Sequence, residues 1–422
     1  MCDRSLVRVV LAATWAAWAI PLSAQAPPSS VPPPAQSPAP QVTAGWQNGF
    51  VIQSADGHAR LQIGLLVHAD GRFALDDTDE TITNTFSMRR LRPYLRGRVA
   101  DRFEFYLNPD FAGGTLVVQD AYIDTRFSSA FRLRVGKAKT PFGHERQHSA
   151  SSMLFMERGF PTLIAPNRDV GVQVLGDLGG GIVSYAVALS NGAPDSSSVD
   201  VDTNDGKDAA GRIVVRPFNR TPAVPLGGLG FALSGSTGMQ RGASSLPSYR
   251  TAVVQPTFFA YAGATADGRR NRYSPYAFYY LKAFGAFAEY THTELPVRKD
   301  TTREVVAHRA WQAVASVVLT GESGTEAGVR PRNDFDFGNG HWGAFQVAVR
   351  YTELSVDRAA IDLGLAAAGS SRRASAWTAG LNWYLTPNFK YVVNFDRVVF
   401  DGETNTPRGP ENVVAFRTQL SF

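Results

Sequence analysis

The 422-residue chain contains a single cysteine, Cys2, and it stands ahead of the first apolar run. Disulfides, thiolate zinc clusters and cysteine nucleophiles are therefore excluded from everything downstream. Lysine is nearly as scarce. Six residues (Lys137, Lys139, Lys207, Lys282, Lys299 and Lys390) carry that head group, and arginine supplies the rest of the 42 basic side chains. Beyond residue 26 no apolar run reaches the roughly 18 residues of a membrane helix. Catalytic signatures are missing as well. There is no G-x-S-x-G elbow and no H-E-x-x-H pair, and Gly179-Gly180-Gly181 lacks the lysine of a phosphate loop and reads as a tight turn. Seven histidines show no paired metal-ligand spacing. His144 and His148 stand four apart, but in a predicted loop, where helical spacing carries no weight. The chain is read as not an enzyme, with no cofactor and no metal.

What is present begins with an export signal. Arg4 and Arg8 form a positive start, Val9 to Ile20 an apolar run, and the stretch ending at Ala26 an A-x-A cleavage site, so residues 1–26 are assigned to a signal peptide. Residues 27–46 open with PPSSVPPPAQSPAP, a composition that cannot pack a core, and are assigned to a disordered periplasmic spacer. The remainder, 47–422, has no internal composition break and reads as one domain. Arg4, Arg8 and Asp3 leave with the leader, and the remaining chain keeps a net positive charge of four. An exported chain with basic and aromatic residues is not a nucleic-acid binder.

From about Ala59 onward the pattern alternates with a period of two. Leu61, Ile63, Leu65 and Val67 stand against Gln62, Gly64, Leu66 and His68; Phe345, Val347, Val349 and Tyr351 stand against Gln346, Ala348, Arg350 and Thr352. The chain stops on the same rhythm, with Val414, Phe416, Thr418, Leu420 and Phe422 on one face and Ala415, Arg417, Gln419 and Ser421 on the other. A strand with one apolar and one polar face needs two solvents, which a closed barrel in a bilayer supplies. Segment lengths near the 9 to 11 residues of a tilted spanning strand agree, and an aromatic last residue resembles the assembly signal of outer-membrane barrels. The fold class is an all-β transmembrane antiparallel β-barrel. About 17 candidate strands and the even-number rule give 16, with 18 as second choice. Short turns such as Leu385–Asn388 are expected at the periplasmic end, and long loops (Asn191–Gly206, Gly321–Gly340, Asp357–Arg373) outside.

The inward faces decide what such a barrel passes. Between Phe86 and Ala100, Arg90, Arg92, Tyr94, Arg96 and Arg98 share one face. An arginine facing hydrocarbon near the midplane costs ~2 to 4 kcal/mol, so these four must face the lumen. Spaced at about 6.6 to 6.8 Å per pair of residues, they form a column of permanent positive charge. Arg132 with Arg134, and Arg212 with Arg216, suggest two more columns. The competing reading pairs these arginines with Glu104, Asp120, Asp124 or Glu289 across the wall and leaves an unselective pore.

Arg89-Arg90-Leu91-Arg92-Pro93-Tyr94-Leu95-Arg96-Gly97, then Phe103-Glu104-Phe105, Pro109-Asp110-Phe111 and Gln119-Asp120-Ala121-Tyr122-Ile123, resemble the phosphate-selective porin O and P family. So do Leu133-Arg134-Val135-Gly136-Lys137-Ala138-Lys139-Thr140-Pro141-Phe142-Gly143-His144-Glu145, Glu157-Arg158-Gly159-Phe160-Pro161 and Arg168-Asp169-Val170-Gly171-Val172-Gln173. The resemblance is densest from Leu61 to Phe218. It implies a 16-stranded, trimeric channel in the outer membrane of a Gram-negative bacterium, with one inward-folded constriction loop per pore and a basic lumen. Its phosphate-specific members carry a lysine-rich entrance and a constricting lysine, which this chain does not match, so anion preference is implied without phosphate specificity.

The loop would be Thr140 to Asn167. His144, Arg146, His148, Arg158 and Arg168 are expected at its constriction, with Lys137 and Lys139 at its base. Strict alternation places these two lysines opposite Arg132 and Arg134, unless a bulge at Gly136 resets the register. The expected function is an outer-membrane porin, a passive channel for small anionic solutes embedded in outer-membrane lipid as a homotrimer. The alternatives are a general, weakly selective porin and a non-channel structural or adhesive barrel.

Overall fold

The computed structural model describes residues 42–76, 82–202, 205–221, 225–253, 256–402 and 408–422. The leader and residues 27–41 of the spacer lie outside the described residues. A short hairpin, β1 (Val42–Trp46) and β2 (Phe50–Ser54), is followed by β3 (Arg60–Leu75), β4 (Thr85–Val99), β5 (Phe103–Asp110), β6 (Val117–Arg126), β7 (Arg132–Lys139), β8 (Arg168–Leu178), β9 (Val183–Ser190), β10 (Asp208–Val215) and β11 (Leu229–Gly242). A small loop hairpin, β12 (Tyr249–Arg250) with β13 (Thr257–Phe259), precedes β14 (Thr265–Leu281), β15 (Phe284–Lys299) and β16 (Thr302–Val318). A second, β17 (Gly324–Thr325) with β18 (Gly328–Val329), precedes β19 (Ala344–Ser355), β20 (Arg373–Tyr384), β21 (Phe389–Asp401) and β22 (Glu411–Ser421).

Sixteen of these strands, β3 to β11, β14 to β16 and β19 to β22, form one antiparallel ring. It closes where β22 pairs with β3, from Ser421 opposite Leu66 to Asn412 opposite Leu75. Closure satisfies every ladder without leaving an edge, which hydrocarbon would not tolerate. β2 pairs with the first residues of β3, Phe50 opposite Ile63, just beyond the end of β22. Residues 42–46, assigned from sequence to the spacer, therefore form β1 of this hairpin. Trp46 there meets the barrel end through Phe422, which lies 5.1 Å from Trp46 and 6.2 Å from Phe50 between ring centroids.

The alternation read from sequence is the alternation seen. Val347, Val349, Trp377, Leu381, Val393, Phe395 and Phe416 are exposed on the outer surface, whereas Arg270, Arg350 and Arg417 are among the most deeply buried side chains. That inversion of a soluble protein is what lipid outside and solution inside demand. Outward aromatics stack in rows from strand to strand: Trp311, Tyr351 and Trp377 in one, Phe345, Trp383 and Tyr391 in another. On β19 the two rows are six residues apart, ~20 Å of strand, close to the height of the apolar band.

One loop assignment is corrected. Residues 319–343, which contain the Gly321–Gly340 stretch expected outside, lie at the same end as the short turns. Gly324 donates to the Lys282 carbonyl and Phe335 to that of Leu385. The cause is parity: β15 and β16 join at the opposite rim through only Asp300 and Thr301, so the next connection must fall at the turn end. A long segment can be told from a short one by composition, but not which end of a barrel it occupies.

Candidate functional site: the barrel interior

Two local irregularities aim the basic residues. At Arg89 the β3–β4 register shifts, His68 facing Arg90 and Ala69 facing Met88. The bulge turns both Arg89 and Arg90 inward onto one carboxylate, Glu157, at 2.6 and 3.5 Å. At Gly136, by contrast, both ladders run unbroken, so no bulge resets β7. Gly136 instead adopts φ +125°, and a Cβ there would meet the Ala121 carbonyl oxygen at 2.3 Å. Lys139 nevertheless turns inward at the end of the strand and donates to the Gln147 and His148 carbonyls, while Lys137 pairs with Asp200 in the loop after β9.

The segment from Thr140 to Asn167 folds across the interior and is pinned to the far wall by its backbone. Gly143 donates to Ser234 Oγ, His144 to Glu289, Met156 to Asn394 and Phe160 to Thr352. Strand side chains return the contacts: Arg350 reaches the Glu157 carbonyl, Arg417 that of Met156 and Lys390 that of Met153, at 2.7 to 2.9 Å. Glu157 gathers Arg72, Arg89, Arg90 and Arg417, and these cations hold its carboxyl well below the usual carboxylate range despite burial. At the opposite rim Phe160 and Ile164 join Tyr249, Phe258, Phe259, Leu295, Leu354 and Phe400 in an apolar core. The loop thus fills the β14–β22 side of the interior.

A cavity of about 470 Å³ lies against the other wall, bounded by β3 to β10, β22 and the loop, and a smaller one of about 330 Å³ opens at the turn end beside Tyr384, Lys390 and Gln419. Seven cationic side chains line the larger cavity, Arg92, Arg96, Arg132, Arg134, Lys139, Arg168 and Arg212, against two carboxylates, Asp120 and Asp177. Arg92 is held by Asp110 (2.7 Å), Arg168 by Asp120 (3.0 Å), and Arg132 and Arg134 share Asp124 (3.4 and 2.7 Å). Among the described residues Arg96, Lys139 and Arg212 have no carboxylate within ion-pair distance. Arg96 lies over the Tyr106 ring, 5.2 Å from its centroid, and Arg212 donates to the Tyr276 hydroxyl at 2.6 Å.

The remaining sequence-nominated residues stand elsewhere. Tyr94 lines the cavity, but its hydroxyl is spent on the Phe422 carbonyl oxygen at 2.7 Å. Arg90 is sealed between His68 and Glu157. Arg98 sits at the turn end, donating to the Gly57 carbonyl, and Arg216 lies 3.6 Å from Glu326. His144, Arg146 and Arg158 do not present charge to the cavity. Arg146 bonds the Thr162 carbonyl, Arg158 those of Glu145 and His148, and the His144 ring packs on Tyr276, Phe278 and Phe287. Burial depresses Arg146 to about 9 and Arg158 to about 10. These side chains hold the loop together, because a segment crossing a barrel must satisfy its own carbonyls. His148 lies beside His144, its ring centroid 4.4 Å away.

Sequence reasoning missed Tyr106 and Tyr122, which continue a row from Tyr94 at 5.8 and 5.6 Å on successive strands. Both fall at polar positions of alternating segments, a signal that was available. It also missed Arg417, Arg350 and Lys390 as loop anchors, because nothing local marks which inward cation meets the loop.

The family model described as phosphate-selective porin O and P matches residues 61–422. No curated protein matches the sequence. Among solved structures, an anion-selective porin from Comamonas acidovorans aligns over 86% of this chain and 100% of its own at 13% identity and TM-score 0.54. The outer membrane channel DcaP of Acinetobacter baumannii aligns over 89% and 99% at 14% identity and TM-score 0.55. OmpT of Vibrio cholerae, folded in vitro and described in its trimer form, aligns over 86% and 99% at 10% identity and TM-score 0.54. These likenesses are of fold. With the family match across nearly the whole barrel, they make this chain an outer-membrane porin that belongs to the phosphate-selective porin O and P family.

Proposed function

We propose that the barrel is a passive diffusion channel that prefers small anions, carboxylate or phosphate-like, over cations. One observation carries the reading: seven cationic side chains against two carboxylates on a single interior cavity, three of the cations without an acidic partner. Unpaired guanidinium and ammonium groups offer several weak sites in series, and an ion must enter each readily and leave it readily. Guanidinium forks also fit the planar oxygens of carboxylate and phosphate. The inward loop narrows the path by filling the opposite side, and serves as the constriction through its polar edge, Gln147, Ser149 and Ser151, rather than through its own basic residues. The alignment to a porin described as a trimer supports a homotrimer, and the leader supports export to the outer membrane of a Gram-negative bacterium.

The test is the zero-current potential of pure protein in planar bilayers under a salt gradient. A sign showing anion preference is expected, and cation preference would overturn the reading. A general, weakly selective pore is the second reading, favoured by the pairing of Arg92, Arg132, Arg134 and Arg168 with Asp110, Asp120 and Asp124. It requires a potential near zero.

A further inference from the structure

Away from the cationic cavity, the interior loop meets the segment folded in from the turn end. His144 and His148 belong to the loop, and Glu326 stands between the two strands of the β17–β18 hairpin. One ligand atom from each of these three side chains lies within 4.8 Å of the other two. The set comes from two segments far apart in sequence, neither of them a barrel strand.

The His144 ring is held rigidly. It stacks on Phe278 at 5.4 Å with planes 9° apart and packs against Tyr276 and Phe287, leaving 1% of the residue exposed. Its Nε2 is buried and has no hydrogen-bond partner. A buried imidazole nitrogen without a partner is costly and calls for an explanation. His148 and Glu326 line a narrow cleft of about 10 Å³ together with Glu145, and the His144 ring stands beside His148 just outside that lining. Arg216 forms an ion pair with Glu326 at 3.6 Å, and a bound cation would share or displace it.

Two imidazoles and a carboxylate are a ligand set that Zn²⁺ and its borderline neighbours take with a fourth position left to water. Ca²⁺ and Mg²⁺ want six or more oxygens and find too few here. At metal–ligand distances of about 2.1 Å, tetrahedral ligands stand about 3.4 Å apart, so binding asks for a closure of roughly 1.4 Å. We propose that His144, His148 and Glu326 bind one divalent transition-metal ion of the Zn²⁺ class, which clips the interior loop to the β17–β18 hairpin.

The full-length protein, purified in detergent and stripped with chelator, is titrated with Co²⁺ alone and followed by its visible d–d absorption. One Co²⁺ per chain is expected, with a band typical of nitrogen and oxygen ligation that Zn²⁺ abolishes by competition. His144→Ala, His148→Asn and Glu326→Gln should each weaken binding about tenfold or more. Retained heat-dependent gel mobility shows that each variant remains a barrel. If His144→Ala or His148→Asn, both in the buried ring cluster, fails to fold, Glu326→Gln, which lies outside that cluster, decides the matter. Absence of saturable Co²⁺ binding by the wild type, or binding unchanged in the folded variants, would overturn the proposal.

Discussion

Arg89 Nε donates to Glu157 Oε1 at 2.6 Å and joins the first bulged strand of the barrel to the middle of the loop that crosses its interior. Arg72, Arg90 and Arg417 converge on the same carboxylate, so one loop acid neutralises part of a basic wall.

Glu157→Gln leaves Arg89 and Arg90 short of their counter-charge, whereas Arg72 and Arg417 keep Asp70, and loss of a partner in a buried pair costs about 3 to 5 kcal/mol. A lower unfolding midpoint in denaturant is expected, together with noisier and larger single-channel currents as the loop detaches. Unchanged conductance and stability would show that the backbone contacts alone hold the loop.

The same anchor sets a pH response. The Glu157 carboxyl is depressed in the folded state, so the unfolded chain takes up protons first as pH falls, and the stabilisation is complete above the usual Glu value of about 4.3. It fades only as pH drops toward the much lower folded value. Current amplitude should therefore hold constant from neutral pH down to about pH 4 and change only in stronger acid. In Glu157→Gln this acid transition should be missing.

Arg96 faces the cavity without an acidic partner, so Arg96→Gln removes a charge and strands none. Stability should stay within about 0.5 kcal/mol of wild type, while the zero-current potential moves toward zero. Arg92→Gln, which frees Asp110, should move it further. Potentials identical to wild type in both would remove these arginines from the selectivity mechanism.

Phe422 stands between Trp46 and Phe50, and its carbonyl accepts from Tyr94 and from the Leu65 amide. Tyr94→Phe should cost about 0.5 to 1.5 kcal/mol by loss of one hydrogen bond. Phe422→Ala, which opens the aromatic cluster at the seam, should reduce the yield of heat-modifiable barrel more strongly. Equal yields from the two variants would contradict that order.

Gly136 is required by its backbone. A side chain at φ +125° is strained, and its Cβ would strike the Ala121 carbonyl. Gly136→Ala should lower stability by about 1 to 3 kcal/mol, read as a shifted urea midpoint. The neighbouring outward position, Val135→Ala, provides the control.

Outside the Arg89 bulge and the Lys139 end of β7, the strand-by-strand reading survived because hydrocarbon enforces a two-residue rule on each spanning segment. Val347, Val349, Phe395 and Phe416 had to face out, and Arg92, Arg350 and Arg417 had to face in. The column from Arg90 to Arg98 was legible as inward but not as a column, since Arg90 and Arg98 are drawn off by Glu157, His68 and Gly57, leaving Arg92 and Arg96 at the cavity. Arg146 and Arg158 of the loop stand away from the cavity for a related reason: charge in a segment that crosses a barrel is consumed by the carbonyls of that segment.

Period-two patterning and its solvents thus determined the barrel and its closure from sequence alone, because hydrocarbon imposes the same test on every residue independently. Which side of the lumen the loop fills, which cations keep no acidic partner, and how His144 and His148 come to meet Glu326 were decided only in three dimensions. Those outcomes depend on pairings between residues as far apart as Asp70 and Arg417, and no local period records such a choice.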